Sequence, residues 1–241
     1  MLKIIIFVLL LLPTSTWADN NKIIIAAEDA WAPFANPNGT GMAHEIITAA
    51  FATQNVDVEF HVFPYARVLH YLDTGTYIAG FNVPIDKITE QKYLLGSTPL
   101  YEAYSAYYYN TDKPLIAVDR ETFSGESVGV VRGFGYGQHH IDLVSEQYIY
   151  AQPTSSDEVN VKRLILGRLD SALIFVKVAN LLKRQHKLPD EIELAFINES
   201  TDIYLAFSKL HPKSQHYQVI FEKGLFAIIA NGERERITSS Y

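Results

Sequence analysis

The chain has 241 residues, a formal charge of −7 and no cysteine. With 48% hydrophobic and 20% charged residues it can fill a core, which excludes a disordered chain, and its length admits one large domain or two small lobes. The negative charge argues against nucleic acid as a main partner, and the missing thiols remove disulfides, thiolate catalysis and cysteine-held zinc or iron–sulfur sites.

Met1-Leu2-Lys3 is a short basic start, Ile4 to Leu12 is an unbroken apolar run, and small residues stand at Thr16 and Ala18. That order of charge, apolar core and small residues predicts a secretory signal over residues 1–18, cleaved after Ala18. The apolar run is about half the length that spans a bilayer. The mature chain is therefore expected outside the cytoplasm; its expected compartment is the periplasm and its expected state a monomer.

Ile23-Ile24-Ile25 is a β-branched run with the composition of a buried strand. Asp29, Trp31, Pro33 and Phe34 follow where it should end, then the turn-forming Asn36-Pro37-Asn38-Gly39. From Gly41, Ile46, Ile47, Ala50 and Phe51 recur at helical spacing. In open α/β sheets the carboxyl edge of such a strand is where ligands bind. Val56–Phe63 alternates as a strand does, Tyr65–Leu72 repeats as a helix, and Gly75 suits that helix's C-terminal cap. Tyr77–Val83 is a third strand, Asp86–Lys92 a polar turn or short helix, Ser97-Thr98-Pro99 a break and Glu102–Tyr109 a long strand.

Asp112-Lys113-Pro114 marks a boundary, after which the pattern starts again. Ser127–Val131 reads as a strand, Gly133–Gly137 as a loop leading into a helix through Val144, and Glu158–Gly167 as a helix. Leu169–Val176 is a strand, Val178–His186 a helix, Ile192–Ile197 and Asp202–Phe207 two strands, and His216–Ile229 the final helix. The strand–helix order thus runs twice, and the last strand and helix are too little to fold alone. The predicted architecture is α/β with two lobes, each a mixed sheet flanked by helices. Residues 19–109 with 200–241 form one lobe and residues 110–199 the other. Two hinge crossings, near Tyr107–Asn110 and Asn198–Asp202, leave a cleft between them, a preferred place for ligands.

Several segments in this order resemble the extracellular solute-binding proteins of family 3, the polar amino acid receptors of the type 2 periplasmic-binding fold. They are Asp29-x-Trp31-x-Pro33-Phe34, Gly41 with Glu45, Pro64-Tyr65-x-Arg67, Thr89-Glu90-x-Lys92, Ser97-x-Pro99-Leu100-Tyr101, Val128-Gly129-Val130-x-x-Gly133 and Gly167-Arg168-Leu169-Asp170-Ser171-Ala172. The resemblance implies a two-lobed receptor that closes on a small solute and passes it to an inner-membrane ABC permease. Departures bear on the ligand. Lys92 stands where those receptors clamp a carboxylate with arginine, and Phe175 where they hold an ammonium with a carboxylate. Gly133-Phe134-Gly135-Tyr136 replaces their Gly-x-Thr-Thr loop, and Ile78 replaces an aspartate.

The candidate ligand residues are Asp29, Trp31, Phe34, Tyr65, Arg67, Lys92, Arg132, Gly133 and Tyr136. Trp31 and Phe34 either stack on a ligand or pack between lobes, and Asp29 either accepts from a ligand or caps local amides. Arg67 and Arg132 are open to an anionic ligand or to structural pairing, and Lys92 offers a point charge without arginine's fork. Three cations against one acid predict a solute with an anionic group. No cofactor, metal or catalytic residue is expected. The Gly-x-Ser-x-Gly of Gly125–Gly129 has its strand after the serine rather than before it, unlike a hydrolase elbow. The three alternate glycines from Gly133 lack dinucleotide spacing, and His139 and His140 would diverge on a helix, giving a solvated face. Asn38 and Asn198 begin glycosylation sequons. The rival reading is a free-standing sensor or adaptor that reports a solute to a membrane signalling partner.

Overall fold

The computed structural model describes residues 21–241; the predicted secretory signal lies outside the described residues. The first half is built from β1 (Lys22–Glu28), α1 (Met42–Ala52), β2 (Asp57–Phe63), α2 (Tyr65–Thr74), β3 (Ala79–Pro84), α3 (Lys87–Lys92) and β4 (Tyr93–Leu94). β5 (Tyr101–Asn110) leads into the second half: β6 (Glu126–Val131), α4 (Gln138–Ser145), β7 (Ile149–Thr154), α5 (Asp157–Ile165), β8 (Ser171–Phe175) and α6 (Val176–Arg184). β9 (Ile192–Ser208) returns, followed by α7 (Ser214–Ala230) and α8 (Glu233–Ser239).

The strands are hydrogen-bonded in the order β2-β1-β3-β9-β5-β8-β6-β7, with β4 added to β9. β1 pairs parallel with β2 and β3, and β6 parallel with β7 and β8, so each half carries the strand–helix–strand units that the chain order implied. β5 and β9 run antiparallel through both halves, from Tyr101 opposite Ile203 to Asn110 opposite Ile192. These are the two crossings.

Three features differ from the sequence reading. The two strands read at Ile192–Ile197 and Asp202–Phe207 are one strand of 17 residues, because the polar stretch between them stays in the ladder against β5. The register slips between Ser105 and Ala106 and again between Tyr107 and Tyr108, so β9 bulges at Asn198 and Ala195. β7 was not foreseen: Gln152 and Pro153 break its pattern, and proline is tolerated there because β7 lies at the sheet's edge. Finally, α7 is not the last helix, since α8 follows it.

The first half closes around α1 and α7. Ile46, Ile47, Ala50 and Phe51 of α1 are fully buried, as are Leu225 and Ile228 of α7, and the Phe51 and Phe221 rings lie 5.2 Å apart. Each of these isoleucine, leucine and phenylalanine side chains contributes roughly 1.5–3 kcal/mol by leaving water. The two helices meet closely at Gly224, where a Cβ would stand 2.0 Å from the Ala50 carbonyl oxygen. Gly224→Ala is therefore expected to lower stability by about 1–3 kcal/mol, read as a lower urea midpoint. A midpoint equal to that of the unaltered chain would show that this helix pair can part without loss.

Candidate functional site

β1 ends in Glu28, and the chain turns at once. The backbone of Trp31 exchanges hydrogen bonds with Ala35, N to O at 3.1 Å and 2.9 Å, which holds the turn. The first free amides of α1 are then taken by that same turn: Met42 N donates to the Pro33 carbonyl and Ala43 N to the Phe34 carbonyl, both at 3.0 Å. Gly41 makes the approach possible, with φ at 133° and a would-be Cβ only 2.6 Å from the Phe34 oxygen. The result presents Trp31 at the carboxyl end of β1 and sends Phe34 inward, where it stacks on Tyr101 at 4.9 Å.

A cavity of about 40 Å³ lies between the halves. The first half supplies Glu28, Trp31, Tyr65, Asn82, Pro84 and Ile203; the second supplies Gly133, Phe134, Gly135 and Phe175. Rings close most of it: Trp31 lies 4.9 Å from Phe175 edge-on and 6.0 Å from Phe134. The space fits a few water molecules, so a larger occupant requires its walls to move. A larger surface groove, of about 430 Å³, draws its walls from the first half alone.

The polar part of this cavity is a buried chain of three side chains. Tyr101 donates its hydroxyl to Asn82 Oδ1 at 2.6 Å, and Asn82 Nδ2 donates to Glu28 Oε2 at 2.9 Å. Asn82 reaches Glu28 because β3 slips register between Gly80 and Val83, with Asn82 at φ 62°. Burial drives the Glu28 carboxyl up to about 7 despite the hydrogen bond from Asn82, and neighbouring Asp29 adds to the rise. Burial likewise raises the Tyr65 and Tyr101 phenols, so both are neutral.

Of the residues singled out from sequence, Trp31, Tyr65 and Gly133 line the cavity. Phe34 is core, packed beneath Trp31 at 4.5 Å. Tyr136 turns inward: its hydroxyl accepts from Val131 N at 2.9 Å, and its ring stacks on Phe175 at 5.3 Å, supporting the wall from behind. Asp29 is half-buried beside the site, and no side-chain hydrogen bond reaches it among the described residues. The three cations stand apart from the cavity. Lys92 pairs with Asp73 at 3.0 Å on the surface, while Arg67 and Arg132 are exposed. Charge marked them in the sequence, but the described wall combines uncharged rings with Asn82 and one acid, Glu28.

Glu28, Asn82, Phe134 and Phe175 were not singled out as ligand residues. An acid closing an apolar strand was the available signal for Glu28; Asn82 has none, since its placement depends on a bulge. His139 and His140 do not form a solvated face. They are half-buried, the His140 ring meets Tyr136 edge-on at 5.5 Å, and burial lowers it to about 4.

No family model matches the sequence, and no curated protein matches it either. Solved structures do. An ancestral arginine-binding protein bound to arginine superposes with a TM-score of 0.74 at 17% identity, over 92% of this chain and 98% of that one. A histidine kinase sensor domain with similarity to periplasmic binding proteins gives 0.75 at 16% identity, over 92% and 96%. The VFT2 domain of BvgS from Bordetella pertussis gives 0.74 at 16% identity, over 93% and 94%. The chain has the two-lobed α/β type 2 periplasmic-binding fold.

The buried carboxyl has a consequence for stability. Glu28 rises from 4.5 unfolded to about 7 folded, so between these values the folded chain holds more protons and stability falls as pH increases. His44, which burial lowers from 6.5 to about 4, works oppositely, losing stability as pH falls through that range. Comparison with Glu28→Gln isolates the carboxyl. The variant is expected to gain stability over the unaltered chain at about pH 8, by up to roughly 3 kcal/mol, and little at about pH 4.5. Urea midpoints at the two pH values check this; an equal difference at both would show that Glu28 does not titrate abnormally.

Proposed function

We propose that this chain is an extracytoplasmic solute-binding module that holds a small molecule between its two halves without altering it. The observation that carries this reading is a cavity walled from both halves, with one buried polar chain, Glu28–Asn82–Tyr101, reaching it through an otherwise aromatic lining. A ligand touching both walls stabilises the closed arrangement over the open one, which is how such a fold reports or retains its solute. In this reading residues 19–109 with 200–241 move against residues 110–199. β5 and β9 act as the hinge, bending where β9 bulges at Asn198.

Membership of the family 3 receptors, export through residues 1–18 and a monomeric periplasmic form accompany this proposal. Support comes from the ordered segments quoted above and from likeness in fold to an arginine-binding protein. Delivery to an inner-membrane ABC permease is the partner we favour. Sensing is the second reading, favoured by likeness in fold to a histidine kinase sensor domain. Among the described residues no helix is long and apolar enough to cross a membrane, so either partner would be a separate chain or lie outside them. The anionic group expected of the solute is not carried into the proposal, because Arg67, Lys92 and Arg132 do not line the cavity.

The test is a thermal-shift screen of the purified chain against amino acids, organic acids, amines and small sugars, followed by titration. Binding to the folded state raises the melting temperature in a way that grows with ligand concentration. Phe134 is half-buried, so Phe134→Ala is expected to leave the fold intact while weakening the best ligand about tenfold or more. A best ligand held equally well by Phe134→Ala would place binding elsewhere.

A further inference from the structure

Resting on that solute-binding reading, we propose that the ligand is a small organic ammonium carrying no carboxylate: a primary or methylated amine on an apolar body. Its charged nitrogen would face Glu28 and its body the rings of Trp31, Tyr65, Phe134 and Phe175.

The first argument is the carboxyl itself. Glu28 is 3% exposed, and among the described residues no salt bridge gives it a counter-ion. Asn82 satisfies Oε2, and among the described residues no hydrogen bond or ion pair reaches Oε1. The charged side chain that acts most directly on it is Asp29, of the same sign. A buried carboxylate without a cation is costly in a folded protein, and a ligand cation is the group that would complete it.

The second argument is what the cavity lacks. Among the described residues no lysine, arginine or histidine belongs to its wall, so a ligand carboxylate would enter opposite Glu28 with no positive group from them to offset it. An α-amino acid would be half accommodated and half repelled. The Asn82 amide accepts from Tyr101 at its oxygen and gives one of its two N–H groups to Glu28, which leaves a single neutral N–H and no positive charge to offset an anion.

The third argument is the lining. Four aromatic rings around a carboxyl combine the two groups that attract an ammonium, since ring faces are electronegative and are most effective where water is excluded. The second half presents rings and glycines to the cavity, Phe175 among them, so the acid that lines it is Glu28 of β1. The Trp31 Nε1 proton is buried without an acceptor, which leaves room for a hydroxyl or ether oxygen on the ligand body.

Such binding depends on pH in a defined direction. The groups that face Glu28 are Asp29 on its own segment, Tyr65 from α2 and Tyr101 from β5, and both phenols stay neutral. Glu28 therefore sets the charge. With its carboxyl near 7 in the empty cavity, the ammonium binds best above that value and more weakly below it.

The experiment is calorimetric titration of the full chain with benzylamine, tetramethylammonium chloride, benzoate and L-phenylalanine, at about pH 8 and about pH 5.5. Benzylamine or tetramethylammonium is expected to bind at least about tenfold more tightly than benzoate or L-phenylalanine. That affinity is expected to fall about tenfold in Glu28→Gln, and to fall in the unaltered chain at the lower pH. The pH series supplies the same readout without a substitution, should the variant fold poorly. Tighter binding of benzoate or L-phenylalanine, unchanged ammonium affinity in a folded Glu28→Gln, or no ammonium binding at millimolar concentration overturns the assignment. In those cases a saturable ligand of another class that is weakened by Phe134→Ala leaves the solute-binding reading standing; its absence across all classes ends both.

Discussion

The antiparallel pairing of β5 with β9 is the constraint on which the molecule depends. Each strand begins in one half and ends in the other, so every other strand attaches to one side of this ladder or the opposite side. The ladder is continuous but not uniform. At Asn198 an extra residue enters β9, and its side chain donates to Ser105 Oγ at 3.0 Å and to the Tyr136 carbonyl at 2.9 Å. Arg120 donates to the Asn198 carbonyl from outside, and Glu199 Oε2 accepts from His139 N at the start of α4. A local irregularity in the backbone is therefore fastened to the glycine-rich loop that forms one wall of the cavity. The crossing and that wall are thus joined by direct hydrogen bonds.

The cavity follows from this arrangement. β1 and β3 deliver Glu28 and Asn82 from one side, and β8 and the loop after β6 deliver Phe175 and Phe134 from the other. Aromatic rings can close such a gap with few rotatable bonds, so the shut arrangement loses little side-chain freedom. They also exclude water, which raises the cost of leaving Glu28 charged and uncompensated. The same rings that seal the cavity thereby make its one carboxyl sensitive to what enters.

Much of the fold was legible in the chain. The isoleucine run of β1, the helical spacing after Gly41 and the doubled strand–helix order each reflect a periodicity that burial imposes directly. β7 was not legible because an edge strand need not alternate, and β9 read as two strands because Asn198-Glu199-Ser200-Thr201 is polar where the ladder bulges. The site was legible in part. Trp31 sits where the carboxyl edge of β1 says a ligand residue should be. Arg67, Lys92 and Arg132 drew attention by charge, yet a charge near a predicted strand end does not say which way its side chain turns. Lys92 meets Asp73 across the surface instead, a pairing between distant segments that no local pattern encodes. Glu28 and Asn82 matter because two strands lie side by side with a slipped register, and that is a property of the assembled sheet.

The bulge at Asn198 also bears on how the polypeptide can be produced. Asn198-Glu199-Ser200 is an acceptor sequence for N-linked sugar, yet the Asn198 amide is 2% exposed and already engaged with the hinge, whereas Asn38 in the other sequon is exposed. In a eukaryotic secretory pathway an oligosaccharide is added to the nascent polypeptide before it has folded. A sugar at Asn38 would sit harmlessly in solvent; one at Asn198 would occupy the space of the central ladder and block its assembly. Bacterial hosts avoid that conflict.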